Sequence, residues 1–145
     1  MTIIFACSLC LCPSSKLCGN SNADHRTTHC PEGVELYHQT SLSCVRKIMQ
    51  GNEMRPGTEG LVGGGIYFAV CEADTHHKAH HKGWMIKARV HLGKRLLVPP
   101  SGKPDLTYAE VAARGCQSVE CRRAGGTEFV IYSWARASLI EVYPC

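Results

Sequence analysis

The sequence lacks a large excess of charge of either sign, and it lacks an apolar run long enough to span a membrane. Its 145 residues carry a formal net charge of +4, which by itself is too small to indicate a nucleic-acid-binding protein. The apolar run at residues 3–12 is too short for a transmembrane helix. No Lys or Arg precedes this run, as one would in a secretory signal peptide. The sequence therefore favours an intracellular protein in the cytoplasm or nucleus, with secretion as the alternative.

The composition excludes a globally disordered chain. Hydrophobic residues make up 44% of the sequence and charged residues 19%, proportions that are typical of a folded domain. The length fits one domain with a proper core, and no internal repeat is present. Residues 1–31 are rich in Cys, Ser, Asn and Thr and show no hydrophobic period. We therefore expect a disordered leader at 1–31 and a single domain at 32–145.

The ten cysteines leave two interpretations open. An even number of cysteines is compatible with disulfides in a secreted protein. It is equally compatible with buried thiols in an intracellular one, because a reduced cysteine packs as a small hydrophobic residue. A secreted, disulfide-bonded toxin or interaction protein is thus one alternative function.

The hydrophobic pattern predicts short strands with few helices, which indicates an α+β domain. A first helix is predicted to be capped by Thr40 or Ser41 and to end at Gly51. A stretch rich in turn-forming residues follows it, at 51–65. The helical face of the first helix is predicted to consist of Leu42, Val45, Ile48 and Met49. Strands are predicted at 34–38, 66–70, 84–92, 129–132 and 139–143, and further helices at 72–81 and 108–113.

Three of these short apolar segments carry a residue that packing alone does not require. His38 ends the first strand, Tyr67 follows three consecutive glycines, and Glu128 precedes the apolar run 129–132. Taken singly, each has an ordinary explanation, namely a hydrogen-bonded histidine, a core tyrosine and a solvent-facing glutamate. A carboxylate that is instead buried requires a cationic or hydroxylated partner.

Taken in order, His38, Tyr67 and Glu128 resemble the His-Tyr-Glu signature of the diphtheria-toxin-like ADP-ribosyltransferases, which include the catalytic domains of poly(ADP-ribose) polymerases. The match is especially close at 63–69, Gly-Gly-Gly-Ile-Tyr-Phe-Ala, and the resemblance covers roughly residues 34–143. It implies a split β-sandwich, in which two small sheets with few flanking helices enclose a cleft for NAD. It also implies an enzyme that uses NAD as co-substrate, releases nicotinamide and transfers ADP-ribose to an acceptor, without a metal.

The resemblance implies a role for each of the three residues. Glu128 would bind the 2′-hydroxyl of the nicotinamide ribose and stabilise the positive charge that develops as the glycosidic bond breaks. Tyr67 would stack on the nicotinamide ring. His38 would donate a hydrogen bond to a ribose hydroxyl while its other nitrogen is held by the protein. These three residues are the predicted catalytic set.

The predicted NAD-binding residues are His38, Gln39, Thr40, Gly65, Tyr67 and Thr75. Glycines at 63–65 would let the main chain approach the dinucleotide, and residues 52–62 would correspond to the family's donor loop. The Thr75 hydroxyl would bond the nicotinamide carboxamide, with a helix-capping role as the alternative.

Two departures from the family pattern bear on nicotinamide binding. Gln39 occupies the position where the family has a glycine whose backbone grips the carboxamide, and its side chain could crowd the pocket. The family also has a second stacking tyrosine one helical turn beyond the position of Thr75, where this sequence has His77 and Lys78. These departures motivate a second interpretation, a non-catalytic module that binds NAD or ADP-ribose.

Further alternatives concern metals and acceptors. His76, His77, His80 and His81 would form two i, i+4 pairs on a helix, a spacing that can bind zinc but is also typical of a solvated helix face. The segment between Leu92 and Thr127, which would form the acceptor surface, is short. This favours mono-ADP-ribosylation over polymer synthesis, with a protein as the expected acceptor and nucleic-acid ends as an alternative. An RNA 2′-phosphotransferase, which shares the fold and uses NAD, is a lower-ranked alternative.

Overall fold

The computed structural model describes residues 33–145, so the predicted leader at 1–31 lies outside the described residues. Within 33–145 the chain forms seven strands and three α-helices, which confirms the α+β class. In chain order the elements are β1 (Val34–Thr40), α1 (Leu42–Gly51), β2 (Ile66–Ala69), α2 (Glu72–Lys78), β3 (Trp84–Val90), β4 (Arg95–Val98), α3 (Tyr108–Ala113), β5 (Ser118–Cys121), β6 (Glu128–Ile131) and β7 (Ala137–Pro144).

The described strands form one mixed sheet in the order β4-β5-β6-β2-β1-β3-β7. Strands β1 and β3 pair along their whole length, from Val34 opposite Val90 to Thr40 opposite Trp84. By contrast, β1 and β2 share a single registered pair, Tyr37 opposite Ala69. The sheet is therefore paired most weakly between β1 and β2. Strands β4, β5, β6 and β2 lie on one side of this junction, and strands β1, β3 and β7 lie on the other.

The core consists of two clusters that share strand β6. Phe129 belongs to the cluster that contains Phe68 and Ile86, whereas the next residue, Val130, belongs to the cluster that contains Val111. Because successive side chains of a strand point to opposite faces, β6 is buried on both sides of the sheet. Each fully buried side chain of this size contributes about 1.5–3 kcal/mol, so β6 is fixed firmly at the centre of the domain.

Helix α1 begins and ends where the sequence predicts, but it buries less than expected. Ser41 caps the helix by accepting a hydrogen bond from the Cys44 N–H at 3.3 Å. Val45 is buried, while Leu42 and Met49 are 39% and 55% exposed. Of the predicted face, Val45 and Ile48 contact the core, whereas Leu42 and Met49 lie at its exposed edges.

Two other sequence predictions need correction. Helix α2 ends at Lys78 rather than at residue 81, and Ala79 adopts an extended conformation. Beyond Thr75 the segment is almost entirely polar, so it has no apolar face that could hold further helical turns against the sheet. Strand β5 was not predicted, and although its sequence Ser-Val-Glu-Cys alternates polar and apolar residues, all four are buried. It contains Glu120, a charged residue whose ion pairs to Arg95 and Arg122 make its burial possible.

Helix α3, at Tyr108–Ala113, matches its prediction. The Thr107 hydroxyl accepts a hydrogen bond from the Glu110 N–H, and the Glu110 carboxylate accepts one from the Thr107 N–H. This reciprocal capping box satisfies two backbone donors at the start of a short helix. None of the helices in residues 33–145 is both long enough and apolar enough to cross a membrane.

Replacing Gly63 by Ala should destabilise the fold. Gly63 has a positive φ of 81°, and a Cβ there would lie 2.1 Å from the Leu106 carbonyl oxygen. We expect Gly63→Ala to lower the free energy of unfolding by about 2 kcal/mol or more, measured by urea denaturation. Gly51→Ala is the matched control, because a Cβ at Gly51 meets nothing within 4 Å. Equal effects of the two substitutions would contradict this account of Gly63.

Candidate functional site

A cleft of about 1100 Å³ lies beside the join between β1 and β2. Its walls are formed by the ends of these strands, by α1, by the loop at 53–61 and by α2 with the residues that follow it. The residues predicted from the sequence to act in catalysis or NAD binding all line this cleft: His38, Gln39, Thr40, Gly65, Tyr67, Thr75 and Glu128.

His38 is held in a defined tautomer by the backbone. Its Nδ1 lies 2.7 Å from the carbonyl oxygen of Tyr67. Because a carbonyl only accepts, Nδ1 carries the hydrogen. Burial lowers the pKa of His38 below 6.5, against the opposing effect of the bond to Tyr67. The ring is therefore neutral near pH 7 and its Nε2 is an acceptor, which corrects the expectation that the free nitrogen donates to a ribose hydroxyl.

Tyr67 lines the cleft and also binds the loop that precedes β2. Its hydroxyl donates to the Gly63 carbonyl at 2.5 Å and accepts from the Val62 N–H at 3.0 Å. Gly60 packs so closely on the ring that a Cβ there would lie 2.4 Å from the hydroxyl oxygen. Burial raises the pKa of Tyr67, and the negative charge of Glu128 adds to this shift. Tyr67 thus has the bonded hydroxyl of a core tyrosine and also lines the cleft.

The glycines that precede Tyr67 close the loop onto itself. Gly57 and Gly65 exchange two backbone hydrogen bonds, of 2.9 and 3.1 Å. A Cβ on Gly64 would lie 2.5 Å from the Gly57 carbonyl oxygen. Gly65 lines the cleft, whereas Gly63 and Gly64 are not among the lining residues. The need for glycine at 63 and 64 therefore comes from contacts within the protein rather than from close approach of a ligand.

Glu128 places a buried carboxylate in the cleft. It is the first residue of β6, lies opposite Ala69 of β2 and is 8% exposed, so the solvent-facing alternative is wrong. Its Oε2 is buried and has no hydrogen-bond partner among the described residues. The Arg123 guanidinium lies 3.9 Å from this oxygen, beyond hydrogen-bonding distance. A buried carboxylate oxygen in this state is costly for the protein alone, and a ligand hydroxyl would satisfy it.

Arg123 belongs to a turn that is fixed against α2. The turn joins β5 to β6, and Lys78 of α2 donates a hydrogen bond from Nζ to the Gly126 carbonyl at 2.9 Å. Gly126 also packs on Asp74, whose carboxylate a Cβ would approach to 2.3 Å. Arg123 was not among the site residues predicted from the sequence. In the sequence it belongs to the basic pair Arg122-Arg123, which is followed by two glycines shortly before Glu128. This pattern is typical of any charged surface turn.

Thr75 and Gln39 form a polar wall on the opposite face of β1 from His38. The Thr75 Oγ1 lies 2.6 Å from the Glu72 carbonyl oxygen and 3.3 Å from Gln39 Oε1. Gln39 in turn donates from Nε2 to the sulfur of Cys145 at 3.0 Å. The capping alternative for Thr75 is wrong, because the N-cap of α2 is Cys71 and no side chain bonds there. Both side chains are buried, so Gln39 does not extend freely into the cleft.

The remaining predictions concern thiols and metals. The cysteines of residues 33–145 are free: Cys44, Cys71, Cys116, Cys121 and Cys145. Cys44 lines the cleft, and hydrogen bonds from Ser41 and Thr40 lower the pKa of its thiol. In the described part of the chain no three His, Cys, Asp or Glu side chains gather to hold a metal. His80 and His81 follow the end of α2, so the helical i, i+4 pairs do not form.

No family model matches this chain, and no significant match is found among curated proteins. The cleft itself, together with the resemblance of His38, Tyr67 and Glu128 to the His-Tyr-Glu set, is what indicates a function for this chain.

His38 should make stability depend on pH. Its pKa is lowered in the folded state, so below about pH 6.5 the unfolded chain binds more protons than the folded one. The free energy of unfolding therefore has its full contribution from neutral His38 above that pH, and this contribution is lost as the pH drops towards the lower pKa of the folded state. His38→Asn, which can still donate to the Tyr67 carbonyl, should flatten this dependence in urea denaturation from pH 7.5 to 5. Exposed His76→Asn is the control, and an unflattened profile for His38→Asn would contradict the assignment.

Proposed function

We propose that the protein is an NAD-dependent ADP-ribosyltransferase, which breaks the glycosidic bond to nicotinamide and transfers ADP-ribose to an acceptor. The observation that carries this proposal is the buried Oε2 of Glu128, which has a long ion pair to Arg123 but no hydrogen-bond partner among the described residues, in the cleft that His38 and Tyr67 also line. The weak join between β1 and β2 supports the further proposal that the domain is a split β-sandwich of the ADP-ribosyltransferase type.

The proposed chemistry requires a fixed negative charge at the nicotinamide ribose. As the glycosidic bond breaks, its electron pair leaves with the nicotinamide nitrogen and positive charge develops on the ribose. Glu128 would accept a hydrogen bond from a ribose hydroxyl and stabilise that charge. A hydrogen bond to a charged group contributes about 1.5–3 kcal/mol, and it accelerates the reaction as far as it strengthens in the transition state.

Other cleft residues would orient the rest of the dinucleotide. Neutral His38 can accept a hydrogen bond from a ribose hydroxyl at Nε2, and the Tyr67 ring provides an aromatic surface for nicotinamide. Lys47 and Arg55 line the cleft on the α1 side, where they would offset the charge of the pyrophosphate. A volume of about 1100 Å³ is at the upper end of the range for ligand pockets, as a dinucleotide requires.

We propose that a single ADP-ribose unit is transferred. The turn that leads into Glu128, at residues 122–127, is short and is fixed to α2 through Lys78. It leaves little surface for binding the end of a growing polymer beside the reacting carbon. A protein side chain is the proposed acceptor, with a nucleic-acid end as the alternative.

A non-catalytic module that binds NAD or ADP-ribose is the second candidate. It is favoured by Lys78, which lines the cleft near the position of the family's second stacking tyrosine. An ammonium group there would repel the cationic nicotinamide ring of NAD. ADP-ribose, which lacks that ring, would not meet this repulsion.

Glu128→Gln separates the two candidates. It keeps the size of the side chain and removes its charge, so we expect release of nicotinamide from labelled NAD to fall by about a hundredfold, with the melting temperature kept or raised. Glu141→Gln, on the exposed strand β7, is the matched control and should retain the wild-type rate. Equal rates for Glu128→Gln and wild type would contradict the mechanism. Calorimetric binding of NAD by the wild type without nicotinamide release would favour the binding module.

A further inference from the structure

The two arginines of the turn before β6 face two carboxylates in different ways. Arg122 donates from Nε to Glu120 Oε1 at 2.6 Å, a complete charge-assisted hydrogen bond. The Nη1 of Arg123 instead lies 3.9 Å from Glu128 Oε2, and this oxygen has no hydrogen-bond partner among residues 33–145. Arg123 and Glu128 both line the cleft, whereas Arg122 and Glu120 do not. The incomplete pair is therefore the one that a ligand can reach.

The gap between Arg123 and Glu128 is bounded by fixed backbone at both ends. The Arg123 carbonyl accepts a hydrogen bond from the Gly126 N–H at 3.1 Å, and the Gly126 carbonyl accepts one from Lys78 Nζ at 2.9 Å. Glu128 is held at the start of β6, which pairs with β2 and β5. The side chain of Arg123 is 44% exposed, so a ligand can approach the gap from the arginine side.

The width of the gap suits a single hydroxyl oxygen. Hydrogen bonds to such groups are about 2.8 Å long, and since twice that length exceeds 3.9 Å, one oxygen atom can bond both side chains. It must donate to the carboxylate and accept from the guanidinium, because a carboxylate only accepts and a guanidinium only donates. A hydroxyl group does both. A carbonyl or ionised phosphate oxygen has no hydrogen for Glu128, and an ammonium group has no lone pair for Arg123.

We propose that Arg123 is a specificity-determining residue, which donates to the same ribose 2′-hydroxyl that bonds Glu128 and so selects a dinucleotide that carries this hydroxyl. The inference rests on the proposed function, since that function places the nicotinamide ribose at Glu128. It gives the turn at 122–127 a contact with the NAD donor that the resemblance does not imply.

Arg123 and Glu128 differ in what they do during the reaction. When the glycosidic bond breaks, its electron pair leaves with the nicotinamide nitrogen and the ribose becomes positively charged. A carboxylate stabilises that charge, whereas a guanidinium does not. Arg123 therefore contributes to binding of the ground state, and Glu128 to stabilisation of the transition state.

The first test measures binding by calorimetry, with a carbocyclic analogue of NAD and its counterpart without the 2′-hydroxyl. Wild-type protein should prefer the hydroxylated analogue by at least about fiftyfold, because the hydroxyl bonds two charged groups. Arg123→Met removes the donor and should reduce this preference about tenfold, since only the bond to Glu128 remains. Arg123→Lys retains a charged donor and should keep most of the preference. Arg46→Met, at an exposed arginine outside the cleft lining, is the control and should keep the wild-type preference.

The second test measures turnover of NAD. Arg123→Met should raise KM about tenfold and leave kcat equal to or above that of the wild type, because the lost bond belongs to the ground state. If Arg123 served only to hold the Glu128 side chain in place, Arg123→Met would instead lower kcat in the way expected for Glu128→Gln.

Three results overturn the proposal. They are an unchanged preference in Arg123→Met, a loss of kcat in that variant, and a wild type that binds the two analogues equally or binds neither. Failure of the proposed function gives a different result. A wild type that shows the preference, loses it in Arg123→Met and yet releases no nicotinamide contradicts the transferase and supports the role of Arg123.

Discussion

The single registered pair between Tyr37 of β1 and Ala69 of β2 is the constraint on which the cleft depends. Ala69 lies opposite Tyr37 on one side and opposite Glu128 of β6 on the other. Because neighbouring strands lie about 4.8 Å apart, Tyr37 and Glu128 are roughly 10 Å from one another across this row. His38 follows Tyr37 directly. The join thus places a neutral imidazole and a buried carboxylate on two sides of one opening.

The core explains how such a site can be stable. Glu128 begins a strand whose next two residues, Phe129 and Val130, are fully buried on opposite faces of the sheet. Their burial offsets the cost of keeping a carboxylate oxygen out of water without a hydrogen-bond partner. The same arrangement restricts movement of the Glu128 backbone. In the proposed reaction, a carboxylate held in this way would stabilise the developing charge without reorganisation, and the rigidity would come from hydrophobic packing.

The sequence predicted the principal cleft residues because each lies at or near the end of a short strand with a recognisable pattern. His38, Tyr67 and Glu128 could be placed by the resemblance, and short-range patterns located most strands. Side-chain partners could not be predicted, because they depend on tertiary contacts. The tautomer of His38 is set by the carbonyl of a residue 29 positions away, and the Gln39 amide bonds a cysteine 106 residues away.

Other sequence predictions failed for reasons that can be traced to particular residues. Strand β5 was missed because it is only four residues long and its two polar residues, Ser118 and Glu120, are buried by tertiary partners that the sequence does not reveal. The need for glycine at 63 was assigned to ligand approach, whereas the nearest obstacle is the carbonyl of Leu106, which is distant in sequence. Arg123 lies in an exposed turn whose composition carries no functional signal. Its closeness to the Glu128 carboxylate, at 3.9 Å, is visible only in the folded structure.

The most direct test of the central claim is a crystal structure of the protein with a non-hydrolysable carbocyclic analogue of NAD. The account predicts the analogue in the cleft between β1 and β2, with the hydroxyl group of its nicotinamide-bearing ring within hydrogen-bonding distance of Glu128 Oε2. It also predicts that His38 Nε2 accepts a hydrogen bond from a ribose hydroxyl of the analogue. An analogue bound outside this cleft, or bound within it with Glu128 Oε2 still unpartnered, would contradict the account.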